Sequence, residues 1–77
     1  MALSAKERIR LTQTTLEMVS IHKIVGKPPV TTQDIVEGLR ETAPSKEARE
    51  TKIEANLEEI ISIVAKTLGA CYNAQAN

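Results

Sequence analysis

Few residues of this 77-residue chain could do chemistry, and their types narrow the choice at once. His22 and Cys71 are the single histidine and the single cysteine. If the end of the first helix met the end of the last, they could form a thiolate–imidazole pair, a common way to activate a cysteine nucleophile. Nothing in the sequence holds them together, and the plainer expectation is a packing histidine and a small buried thiol. Glu54, Glu58 and Glu59 lie near one another, but with no histidine beside them they form a solvated acidic edge rather than a metal site. One cysteine excludes an internal disulfide, and Gly26, Gly38 and Gly69 are too scattered to cradle a phosphate. The expectation is therefore a chain that is not an enzyme, with no metal and no cofactor. The chemistry that remains is recognition. Arg49, Lys52 and Asn56 stand near the polar start of a long helix, where they could face a ligand or partner.

That helix is announced by an apolar stripe, Ile53, Leu57, Ile60, Ile61, Val64 and Leu68, set in an otherwise charged segment. At roughly 100° of rotation per residue the six side chains fall within an arc of about 100°, which is one face of a helix. Such a face is stable only when buried against a partner. Projected backwards, the same face lands on Lys46, Arg49 and Glu50, so the first two turns are polar all round and are expected to project from the core.

Punctuation supplies the other elements. Ser4 followed by Glu7 has the form of a capping box and starts a helix over 5–25, which Gly26 ends in the left-handed conformation before Pro28 and Pro29. Thr31 with Asp34 repeats the device for a short helix over 32–42, with Val30 and Ile35 placed as a hydrophobic staple. Pro44 closes that helix by pushing Ala43 out of the α region. Ser45 caps a third helix over 46–68, with Gly69 as its stop and residues 72–77 expected to fray. No alternating run is long enough for a strand. The fold class is all-α: one domain of three helices spanning 1–77.

Size and composition say how such a domain can be stable. A chain this short buries only about 60% of the surface it exposes when unfolded. Without Phe or Trp, and with Tyr72 its only ring, its core must be Ile, Leu, Val, Met and Ala. Disulfides and metals being closed, oligomerisation is the remaining route to a margin. A homodimeric helical bundle is expected, self-associating through Ile53, Leu57, Ile60, Ile61, Val64 and Leu68. Residues 1–30 carry five basic and two acidic groups, and the remainder five and eight. Opposite charge can therefore orient the first segment against the last, although exposed pairs contribute only about 0–1 kcal/mol each.

The missing rings remove the stacking platforms for single-stranded nucleic acid, and no run approaches the roughly 20 apolar residues of a membrane span. With one thiol and no apolar leader at its start, the chain is expected in the cytoplasm. Arg10-Leu11-Thr12-Gln13, Val30-Thr31-Thr32-Gln33-Asp34-Ile35, Leu39-Arg40, Pro44-Ser45 and Asn56-Leu57-Glu58 together resemble the helix-turn-helix half of ferric-uptake-regulator-type repressors. The likeness covers residues 10–60 and includes neither the family's wing nor its metal sites. It implies that Ser45 to Asn56 would enter the major groove of duplex DNA, with Arg49 and Lys52 on phosphates or bases and Asn56 reading adenine. The leading expectation is a non-catalytic, self-associating helical module that binds a protein partner. The runner-up is a minimal helix-turn-helix regulator.

Overall fold

The computed structural model describes residues 2–76, and their side chains as far as residue 73. Its elements are α1 (Ala5–Val25), α2 (Thr32–Thr42), α3 (Lys46–Ala48), a π turn (Arg49–Ile53), a 3₁₀ turn (Glu54–Asn56) and α4 (Leu57–Ala76). The last four join end to end, so the molecule is three helical rods with no strand among the described residues.

Each start and stop is local chemistry. Ser4 Oγ accepts the Glu7 N–H at 3.1 Å while the Glu7 carboxylate accepts the Ser4 N–H at 2.8 Å, so two free donors at the start of α1 are satisfied reciprocally. Gly26 ends α1 at φ 74°, where a Cβ would be strained, and the Lys27 N–H closes back on the His22 carbonyl at 2.9 Å. Thr31 and Asp34 form the second box, at 3.2 and 2.9 Å. After Pro44, the hydroxyl of Ser45 accepts the Ala48 N–H at 3.0 Å.

The core is Leu11, Val30, Ile35, Val36, Ile53, Ile60, Val64 and Leu68. The third rod is its spine: α1 and α2 both pack against it far more than against each other. One ion pair does what the charge asymmetry allows, since Glu59 of α4 takes Arg8 at 3.1 Å and also accepts the Leu3 N–H at 3.1 Å. The result is an elongated body, 40 × 22 × 18 Å.

Two expectations are corrected. Gly69 does not stop the third helix, which runs on to Ala76. A glycine inside a helix is unfavourable by only about 1 kcal/mol, and continued packing offsets that. Tyr72 packs on the core instead of fraying, and its hydroxyl donates to the Val30 carbonyl at 2.8 Å. Asn77, the end of the segment expected to fray, lies outside the described residues.

The apolar stripe is likewise spent within one copy. Ile53, Ile60, Val64 and Leu68 are buried by the chain's own α1 and α2, Leu57 is half-buried, and of the six only Ile61 is exposed. A side chain such as Val64, with no exposed surface, has nothing to offer a second copy. Of the expected self-association residues, Ile61 and in part Leu57 are those left with surface to offer another molecule.

Candidate protein-binding face

The residues expected at the start of the third helix do not converge on a site. Lys46 and Arg49 are exposed. Lys52 reaches back across α1 to Glu7, at 3.5 Å, and so has a partner already. Asn56 is buried, and its side-chain amide donates to the Lys52 carbonyl at 2.9 Å. Its burial follows from the 3₁₀ turn, in which residues three apart eclipse: Asn56 swings into line with Ile53 and Leu57 moves to the edge.

The basic surface is interleaved with acid. Arg40 holds Glu54 in a two-point contact, Nε to Oε2 at 2.7 Å and Nη2 to Oε1 at 2.9 Å, which keeps the Glu54 carboxyl below its ordinary pKa and raises that of Arg40. Arg49 stands close enough to add to the effect on Glu54. Glu7 is also lowered, chiefly by the Ser4 backbone N–H and then by the Ser4 hydroxyl, with Lys52 contributing less. Arg8 is paired with Glu59. Within the expected reading segment Lys52 is paired with a carboxylate, while Lys46 and Arg49 stay exposed.

His22 and Cys71 do not form a pair. The His22 ring donates from Nδ1 to the Pro28 carbonyl at 3.0 Å, which fastens the turn after α1. Cys71 is half-buried and free. Among the described residues no three His, Cys, Asp or Glu side chains are grouped so as to hold a metal ion.

Two surface features remain. One is an apolar cleft of about 180 Å³ where α1 meets the π turn, floored by Leu11, Leu39, Ile53 and Ile60. Glu7, Arg10 and Lys52 stand around its mouth. The other is larger, and it is the side of α1 turned away from the core. α1 buries only Leu11 and Thr15. Thr15 satisfies its hydroxyl on the Leu11 carbonyl at 2.9 Å and so sits in the core without an unpaired polar atom. Opposite them, Ile9 is 60% exposed, Leu16 44% and Ile24 83%, with Ile21 and Val25 also open to water. Ile9, Leu16 and Ile24 share one side of this 21-residue helix and leave an apolar face open to water.

Reading from sequence overlooked this face because the strongest periodicity lies in the third helix. The signal was present in the seven-residue step from Ile9 to Leu16 and in apolar residues distributed around α1 rather than along one side. No described helix is long and apolar enough to cross a membrane. Comparison with protein-family models, curated proteins and solved structures gives no match.

Proposed function

We propose that this chain is a small, non-catalytic helical module that self-associates and acts through protein–protein contacts, in keeping with a regulatory role in the cytoplasm. The observation that carries the reading is the outer face of α1. The single-chain core is closed without Ile9, Leu16 and Ile24, yet these are held in a rigid helix facing water. Burial of apolar surface at roughly 25 cal/mol per Å² is the driving force such a face offers. A second copy is its first partner, because every copy carries the same face.

The runner-up, contact of residues 45–56 with duplex DNA, draws support from Lys46 and Arg49, exposed just beyond the three-residue turn after α2. The burial of Asn56 and the pairing of Arg8 and Lys52 with carboxylates weigh against it. Sedimentation equilibrium combined with a salt titration against mixed duplex DNA separates the two. The expected result is concentration-dependent association with no DNA affinity. A monomer throughout the micromolar range, or DNA binding that weakens steeply with salt, overturns the reading.

A further inference from the structure

The outer face of α1 has a repeat. Lys6, Ile9, Gln13, Leu16 and Ser20 follow one another at spacings of three and four, and all five are exposed. The spacing is that of a two-stranded coiled-coil seam, with apolar Ile9 and Leu16 at one of its two inward positions and polar Lys6, Gln13 and Ser20 at the other. Arg10 and Glu17, one residue beyond Ile9 and Leu16, flank the seam on one side. Neither takes part in the ion pairs found among the described residues. Leu11 and Met18 lie on the opposite side of the helix, against the core.

We propose that α1 pairs with α1 of a second copy, antiparallel, about a two-fold axis at Gln13. The inference rests on the self-association reading above and specifies its geometry. In this register Ile9 of one copy comes within one residue of standing level with Leu16 of the other on each side of the axis. The two Gln13 amides face each other, each able to donate and to accept. Flanking positions on the same side of the seam meet in an antiparallel pair, so Arg10 opposes Glu17 twice.

Charge selects this orientation. A parallel, in-register pair would stack Lys6 on Lys6 along the seam and would leave the Arg10–Glu17 complementarity unused, whereas the antiparallel one satisfies it twice. The register overlaps residues 6–20, about 22 Å of helix at 1.5 Å per residue. That is a small contact beside the roughly 1,600 Å² typical of stable complexes, so the dimer is expected to dissociate in the micromolar range.

Charge reversal with rescue tests the register. Sedimentation equilibrium would compare the full chain with Arg10→Glu, Glu17→Arg and the double variant, each checked for unchanged helicity by circular dichroism. By symmetry each single reversal places two like-charge contacts in the dimer, and each is expected to weaken it by about tenfold or more. The double variant restores complementarity and should return to within about threefold of the original. Dimers that persist unchanged in both single variants, or a double variant that fails to recover, overturn this register while leaving self-association standing. A parent chain that is monomeric at every concentration overturns both.

Discussion

Val64 and Ile60 sit where α1 and α2 both press on α4, and the rest of the chain is arranged around them. A core of this size supplies only about 3–5 kcal/mol of net stability, and truncating a buried isoleucine removes about 2–5 kcal/mol. Ile60→Ala is therefore expected to take most of the margin. Lys66→Ala, on an exposed position of the same helix, should change stability by no more than about 0.5 kcal/mol. Urea titration of both variants gives the comparison, and equal midpoints would show that Ile60 is not core. Tyr72 offers a test through pH. Burial raises its hydroxyl above the ordinary value of 10.0, followed by the effect of Cys71. A group that holds its proton more tightly when folded contributes in full below its unfolded pKa, and the contribution is lost as pH rises through the folded value. The parent chain should accordingly lose stability above about pH 10 more steeply than Tyr72→Phe. At neutral pH that variant should be weaker by about 0.5–1.5 kcal/mol, the usual worth of one hydrogen bond. Melting curves at pH 7 and pH 10.5 measure both.

Among the elements, helix starts were legible and helix interiors less so. Ser4, Thr31 and Ser45 announce their caps because capping is satisfied within three residues, and all three form as the sequence implies. Gly69 misled because the same residue type serves as a stop or as a tolerated interior position. What decides between them is whether later residues, here Tyr72, find a core to pack on. The π and 3₁₀ turns, and with them the burial of Asn56, arise from fitting the third rod against two neighbours, which no local pattern encodes. The two glycines of opposite character give a paired prediction. Gly69→Ala should stabilise by about 0.5–1 kcal/mol, because a Cβ there meets nothing within 4 Å and the backbone is helical. Gly26→Ala should destabilise by about 1–2 kcal/mol, because φ is 74°. Thermal melts of the two variants should move in opposite directions from the parent, and a shared direction would refute the assignment of one end or the other.

For the whole molecule, composition limited what could be foreseen. The opposition of charged halves was readable, and the Arg8–Glu59 pair joins first segment to last as that opposition allows. Which face remains after the core has closed was not readable. Two helices, α1 and the third, both carry enough aliphatic residues to be the inner one, and only their packing reveals that α1 keeps Ile9, Leu16 and Ile24 outside.

The position of α4 as spine also bears on how the chain is made. Synthesis delivers α1 and α2 first, yet both rest on residues 57–72, which are made after them. Until then α1 has no surface to fold against, and most of the stability of a helix in a protein comes from such packing. A nascent chain would thus present Leu11 and Ile9 together, both sides of α1 bare, for much of its elongation. Folding of α1 and α2 must wait until α4 has been made, and the window of exposure is set by the rate of elongation rather than by the rate of collapse. A peptide ending at Asn56 should reproduce that arrested state. Circular dichroism is expected to show little helix and no cooperative melt, whereas a sigmoidal transition in the fragment would mean that α1 and α2 can form a nucleus before α4 arrives.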